Sequence, residues 1–291
     1  MLRPFMRFPE GRQKTLTLSY DDGTVHDIRL IEIMNRYGIK GTFNLNSMRL
    51  HPKELESQYD PNTRYRASLY PDEMLKLYPN SGHEVALHSA THPFLNLLPS
   101  QCVAKEIIDD RSELEAHFGT IIRGMAYPFG RTSDETVRVL KECGVAYART
   151  VTSTGNFRLP ENWLRLPATC HHKDPHLMEL LDTFLNTTGP RAEMPWMFYL
   201  WGHSYEFDED NNWEIIEKFC EKAGNHPDVW YATNIEIYDY IQAYNRLQFD
   251  VAMTRAYNPT VIPVWIAMES WPANHTDTYC IMPGETVVFH K

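Results

Sequence analysis

The chain has 291 residues, 43% hydrophobic and 23% charged, which suits one large globular core with a small addition and excludes a disordered chain. Its formal charge of −10, with no standout cluster of Lys and Arg, argues against a nucleic-acid partner and against long-range attraction to a polyanionic glycan. Five scattered cysteines, Cys102, Cys143, Cys170, Cys220 and Cys280, lack CxxC spacing and predict reduced thiols rather than disulfides or a cysteine metal site.

Residues 1–14 hold no apolar run long enough for a signal peptide, and no later segment approaches membrane-spanning length. No membrane partner is expected, and a cytoplasmic location is the default reading, although a chain trimmed of its leader would look the same. From Thr15 short apolar strands alternate with amphipathic helices, the signature of a parallel β/α architecture. The first strand ends in Ser19-Tyr-Asp21-Asp22-Gly23, two adjacent carboxylates at a break that Gly23 permits. One aspartate there can hold a metal while its neighbour takes a proton; the bland reading is a turn capping a helix that begins near Val25.

Ile28, Ile31, Met34 and Tyr37 share a helical face that Gly38 stops, and residues 41–46 form the next strand. Residues 47–70 are polar and tyrosine-rich, more insertion than element, and fall where a β/α barrel carries its active-site loops. The run Glu84–Leu87 predicts a strand, directly followed by His88 and His92. Their i, i+4 spacing brings both imidazoles to one side if the chain enters a helical turn. Further on, a helix is expected over Ser100–Phe118, ended by Gly119, then a strand over Arg123–Tyr127. A helix opened by Ser133 runs to Cys143 and a strand covers Val145–Thr150. Strands over Trp163–Cys170, Met197–Trp201 and Val229–Ala232, with helices from about Pro175 and Asn212, complete a set of about eight strands.

After Tyr244 the helical period stops. The β-prone runs Leu247–Met253, Val261–Ala267 and Thr286–Phe289, separated by Asn-Pro and Pro-Gly turns, predict a small β-rich C-terminal appendage over residues 245–291, beside a barrel over residues 1–244. It reads as a structural cap or a homo-oligomer contact, with Trp265 and Trp271 as packing residues. Within the barrel, one carboxylate from the Asp21-Asp22 pair joins His88 and His92. That is the three-ligand arrangement of a catalytic zinc, which keeps a position open for water. Asp21 and Asp22 end the first strand, His88 the third, the Tyr127–Gly130 loop the fourth and His203 the seventh, which is where barrel enzymes carry their catalytic groups.

Four motifs in order resemble the polysaccharide deacetylases, carbohydrate esterase family 4 with the NodB-type homology domain. Ser-Tyr-Asp-Asp-Gly is similar to that family's Thr-Phe-Asp-Asp-Gly, and His88-Ser-Ala-Thr-His92 to its His-Ser-x-x-His. Ala126-Tyr127-Pro128-Phe129-Gly130 is similar to its aromatic, proline-containing loop, and Tyr199-Leu200-Trp201-Gly202-His203 to its late strand ending in histidine. The resemblance spans about residues 14–243 and implies an α/β fold, an irregular (β/α) barrel of seven to eight strands. It also implies one divalent ion, with zinc the first candidate, on Asp22, His88 and His92, with Asp21 as base and His203 as acid. Tyr127, Pro128, Phe129 and Gly130 would supply the oxyanion donor and, with Trp201, a wall against the sugar. The activity implied is removal of N- or O-acetyl groups from an acetylated sugar or oligosaccharide. A related amidohydrolase on a non-sugar C–N bond and a non-catalytic glycan binder on the same scaffold are the other readings.

Two departures stand out. Ala126 occupies the position of the family's base-steadying arginine, and the family's Asp-Trp element, which tunes the acid histidine, has no counterpart. Arg149, ending the strand after the Tyr127 loop, is the candidate to orient Asp21. His171 and His172 are also at a strand end, but read better as surface residues ahead of a helix.

Overall fold

The computed structural model describes residues 2–49, 71–79, 81–188, 195–271 and 275–289. The insertion expected over residues 47–70 therefore lies, beyond residue 49, outside the described residues. In chain order the elements are β1 (Leu2–Arg7), β2 (Lys14–Asp21), α1 (Asp27–Arg36), β3 (Gly41–Leu45), α2 (Pro71–Leu77), β4 (Glu84–Leu87), α3 (Ser100–Phe118), β5 (Gly124–Ala126), α4 (Asp134–Glu142) and β6 (Tyr147–Ser153). They continue as β7 (Leu166–Ala168), β8 (Cys170–His171), α5 (Leu177–Asn186), β9 (Trp196–Gly202), α6 (Tyr205–Glu209), α7 (Glu214–Ala223), β10 (Val229–Tyr231) and α8 (Asn234–Asn245). The chain ends in β11 (Gln248–Phe249), β12 (Arg255–Tyr257), β13 (Val264–Ser270), β14 (His275–Ile281) and β15 (Thr286–Val288).

The main sheet is parallel and runs β7-β6-β5-β4-β3-β2-β9-β8, with β10 on the first half of β2. Its two ends belong to one stretch of chain. β7 pairs with β6, β8 pairs with β9, and only Thr169 separates β7 from β8. One extended segment thus carries the ladder from β6 round to β9 and gives the sheet the course of an irregular barrel. No described helix is long and apolar enough to cross a membrane.

Alternation along each strand divides the barrel's two faces. On β2, Leu16, Leu18 and Tyr20 enter the core shared with α1, α5 and α7, while Thr15, Thr17, Ser19 and Asp21 take the other face. On β9 the same rule sends Phe198 and Leu200 to that core and Met197, Tyr199 and Trp201 to the second cluster. Buried strands that read as apolar runs would fill such an interior with Val and Ile; here it is polar and internally hydrogen-bonded. Thr17 Oγ1 donates to Asn234 Oδ1 at 3.1 Å, and Asn234 Nδ2 donates to the Tyr199 hydroxyl at 2.6 Å.

The floor is closed by the start of α8, where Thr233 and Glu236 form a capping box. The next backbone N–H groups point into the barrel, Asn234 N to Thr42 Oγ1 and Ile235 N to Glu84 Oε2. Glu84 also accepts from the Thr42 and Tyr147 hydroxyls, at 2.9 and 2.7 Å. Burial nevertheless outweighs these donors and raises its pKa to about 7.

The last part of the chain departs from the run of strands expected there. The expected strand from Leu247 stops at Phe249, because the Asp250 carboxylate accepts from Thr254 N, Thr254 Oγ1 and Arg255 N and turns the chain. β11, β12 and β15 form one small sheet. A second comprises β1, β13 and β14, so the N-terminal strand pairs antiparallel with residues 265–270. The sequence Leu-Arg-Pro-Phe-Met-Arg hides that strand, since Pro4 and two arginines interrupt the alternation that marks a strand.

Removing the floor carboxylate leaves three buried donors unmatched, so Glu84→Ala is expected to lower stability by about 2–4 kcal/mol in urea unfolding. Because the folded pKa of about 7 lies above the ordinary 4.5, the folded state holds the extra proton between those values. Stability should therefore fall as pH rises from about 4.5 through 7, and Glu84→Gln should flatten that slope. Equal slopes in melts of the two proteins would show that Glu84 does not control it.

Candidate active site

All the strand-end residues converge at the carboxyl end of the barrel. The chain leaves β2 through two left-handed residues, Asp22 at φ 78° and Gly23 at φ 60°. That break turns both carboxylates the same way. His88 Nε2 lies 3.8 Å from Asp21 Oδ2 and 3.9 Å from Asp22 Oδ1, and His92 Nε2 lies 3.8 Å from the same Asp22 oxygen. The donor atoms of Asp22, His88 and His92 all fall within 4.8 Å of one another.

The helical turn expected to align the two histidines is absent. Residues 88–92 form an irregular loop in which Ser89 (φ 61°) and His92 (φ 60°) are left-handed. Such conformations cost free energy in non-glycine residues and persist where surroundings enforce them. Here the enforcing contacts are visible. Asn46 Nδ2 donates to the carbonyls of His88 and Ser89, and the His88 N–H faces Asp110 Oδ2 at 3.1 Å and Leu45 O at 2.9 Å. Asp110 also accepts from Ser47 N, and burial raises its pKa to about 7.

The His88 ring is set by its other nitrogen. Nδ1 lies 2.8 Å from the Ala126 carbonyl, which can only accept, so Nδ1 carries the proton and Nε2 presents a lone pair toward Asp22. The residues therefore fit a divalent ion, with one carboxylate, two imidazoles and a backbone carbonyl fixing the tautomer.

Asp21 is buried and held apart from that set. Its Oδ1 accepts from Asn44 Nδ2 at 2.8 Å, and its Oδ2 is hydrogen-bonded by the Arg149 guanidinium. Burial acts to raise its pKa, but Arg149, then His88 and His203, outweigh it and lower it to about 2. Arg149 is opposite Ala126 in the β5–β6 register, so the guanidinium comes from the neighbouring strand directly beside the alanine. It lies over the Trp201 ring, 4.3 Å from the centroid.

His203 follows β9, its Nε2 4.0 Å from Asp21 Oδ2 and its Nδ1 3.4 Å from Glu206 Oε2. Burial acts to lower its pKa, but Glu206 and the two aspartates outweigh it and raise it above the ordinary histidine value. Glu206 is also 3.2 Å from the Nε2 atoms of both His171 and His172. His172 is therefore no surface residue: it is 1% exposed, packed against Phe207 and Gly202.

The loop after β5 contributes unevenly. Tyr127 turns into the helix-facing core with its hydroxyl on Leu164 O, so its side chain does not face the site. The Tyr127 and Gly130 N–H groups are engaged by Arg149 O and Tyr127 O. Pro128 is buried and has no N–H. Phe129, left-handed at φ 57°, is half exposed, with its ring 4.6 Å from His92 and stacked on Phe94 at 3.9 Å. Asn46, Asp110 and Glu206 were not identified from sequence. Asp110 had a signal, a carboxylate in the apolar stripe Val103, Ile107 and Leu114 of α3; Glu206 had only its place three residues after His203.

Fold and site together define an irregular parallel β/α barrel with a carboxylate–imidazole centre at its mouth. The family model described as polysaccharide deacetylase matches residues 9–148, which places this part of the chain in that family. No curated protein sequence matches the chain significantly. Among solved structures, a Streptococcus pyogenes deacetylase in complex with acetate is 19% identical over 51% of this chain, with a TM-score of 0.42; the chain spans 61% of that protein's length. A Mycobacterium smegmatis protein named provisionally as a polysaccharide deacetylase is 17% identical, with 84% of this chain and 96% of that one covered and a TM-score of 0.59. Puue allantoinase is 15% identical, with 81% and 93% covered and a TM-score of 0.60. At these identities the last two likenesses concern the fold.

Arg149→Ala leaves the buried Asp21 charge unpaired, and is expected to cost about 3–5 kcal/mol of stability and to raise the Asp21 pKa. Arg149→Lys should recover only part of this, because an ammonium lacks the planar fork. Urea unfolding and carboxyl NMR titration of both variants measure this; an unshifted Asp21 would remove Arg149 as its partner.

Proposed function

We propose that the protein is a metal-dependent hydrolase that removes N- or O-linked acetyl groups from a carbohydrate. The observation that carries this reading is that Asp21 Oδ2 lies 3.8 Å from His88 Nε2, a member of the Asp22, His88 and His92 set, and 4.0 Å from His203 Nε2. A divalent ion on those three side chains, zinc first by donor type, would supply a Lewis acid that acidifies water and polarises an acyl carbonyl. Asp21, kept ionised by Arg149, accepts the proton of the attacking water through its carboxylate. His203 Nε2, protonated under the influence of Glu206, donates to the leaving nitrogen as the C–N bond breaks, since an amide nitrogen does not depart as an anion. Phe129 N–H is the donor in its loop that we assign to the developing oxyanion, and Phe129 and Trp201 wall the sugar.

Glu206 is the residue we assign to the tuning role for which the sequence has no Asp-Trp element. Its carboxylate orients His203 from the acid's own following turn rather than from a distant motif. The fold likeness to Puue allantoinase supports a second reading, hydrolysis of a non-sugar amide by the same residues. A non-catalytic binder would have no use for both a buried ionised Asp21 and a raised His203.

Acetate release from a panel of acetylated sugars and oligomers, run beside cyclic and open-chain amides, separates these readings. Turnover on the amides alone would replace the carbohydrate assignment, and none on either would leave a binding protein. His92→Ala should lose the ion while keeping the fold; elemental analysis finding it fully occupied would reject the ligand set. In kcat/KM profiles, activity should fall on the alkaline side above the ordinary histidine value of about 6.5, as His203 loses its proton. His203→Ala should lower kcat by about 10²–10⁴-fold and flatten that limb; an unchanged limb would assign it to another group.

A further inference from the structure

Beside the Asp22, His88 and His92 set, a second group of one carboxylate and two imidazoles lies at the barrel mouth. The ligand atoms of His171, His203 and Glu206 all fall within 4.8 Å of one another. These residues come from three adjoining places, the end of β8, the residue after β9 and the first turn of α6. The β8–β9 register sets His171 opposite Trp201, and their rings meet edge to face at 4.5 Å. Glu206 N is bonded to His203 O.

We propose that His171, His203 and Glu206 form a second divalent-cation site, suited to a borderline transition ion such as zinc or cobalt, bound through His171 Nε2, His203 Nδ1 and Glu206 Oε2; ligation there requires the His171 proton to move to Nδ1, which gives up the bond it accepts from Lys173 N at 3.1 Å.

The first support is spacing. Glu206 Oε2 lies 3.2 Å from His171 Nε2, 3.2 Å from His172 Nε2 and 3.4 Å from His203 Nδ1. A tetrahedral ion with ligands at about 2.0–2.1 Å separates neighbouring ligand atoms by roughly 3.3 Å. The second is crowding on one carboxylate oxygen. His171 Nε2, His172 Nε2 and His203 Nδ1 all converge on Glu206 Oε2. The His203 N–H adds a further donor at 3.3 Å to the same carboxylate oxygen, which has only two lone pairs to offer four nitrogens.

The third support is orientation. Lys173 Nζ, itself 2.7 Å from Asp210, holds the opposite carboxylate oxygen Oε1 at 3.2 Å. That contact turns Oε2 toward the imidazoles and favours one-point ligation. His172 backs the group from the core, its ring between Phe207 and Tyr20 and against Gly202, where a Cβ would come within 2.1 Å of its Nδ1. Nε2 of His203 still faces Asp21, so an ion on Nδ1 would sit on the far side of the ring from the first set.

One consequence rests on the functional reading above. An ion on His203 Nδ1 takes the lone pair that a second ring proton needs, so an occupied second site and an acidic His203 exclude each other. Excess metal should inhibit.

The test is cobalt loading of the full chain after chelator dialysis, followed by elemental analysis and visible absorption. Wild type is expected to take two equivalents in two phases. His171→Ala and Glu206→Gln should each take one, with a native far-UV dichroism spectrum and the first-phase absorption retained, whereas His92→Ala should lose the other equivalent. A single equivalent in saturated wild type, or two in folded His171→Ala, would overturn the site. In acetate release, excess Co²⁺ should slow wild type at least about tenfold and His171→Ala much less. Two equivalents without inhibition would keep the site and instead reject His203 as the acid, so the two readings fail separately.

Discussion

The contact on which the site depends is the buried pair of Asp21 and Arg149. Burial acts to neutralise a carboxylate here: it raises Glu84, at the start of β4, and Asp110, on α3, to about 7 although both accept hydrogen bonds. Asp21 is as deeply buried and yet is lowered to about 2, because a guanidinium meets it and His88 and His203 add to the field. The interior must then satisfy Arg149 as well. It does so in part, with the Thr150 carbonyl on Nη1 and the Trp201 face beneath the guanidinium, while Nε has no hydrogen-bond partner among the described residues; these contacts tie β2, β6 and β9 together across the barrel.

This interior explains why the barrel is not filled with branched aliphatics. Hydrogen bonds join Glu84 to Tyr147 and Thr42 and, through Asn234, to Thr17 and Tyr199 at the floor, and Asn44 joins Ser19 to Asp21 at the mouth. A buried polar network of this kind tolerates few changes, since each member lost leaves another unmatched. The apolar driving force lies outside it, where the outer faces of the strands pack on α1, α3, α4, α5 and α7.

Backbone strain is concentrated where the donors are. Asp22, Ser89, His92 and Phe129 all take left-handed conformations, and each belongs to the mouth of the barrel. Asn46 and Asp110 hold the His88–His92 loop in that form from below, which fixes imidazole positions without a helix. The cost is repaid by rigid placement of groups before any ligand arrives.

Much was legible in the sequence alone. The alternation of strands and helices, the glycine and serine that bound α3 and α4, and the strand-end positions of Asp21, Asp22, His88 and His203 follow from local periodicity, caps and motif order. Arg149 could be placed on the right strand because alternation is a local rule, and the β5–β6 register then set it beside Ala126. Tertiary structure decided the rest. It turned Tyr127 outward, buried His172, joined β1 to β13 across more than 250 residues of chain, and brought Glu206 against three histidines. Those outcomes depend on which chain segments become neighbours, and on desolvation and charge at the meeting points. Neither is encoded in the spacing of residues along one strand or helix.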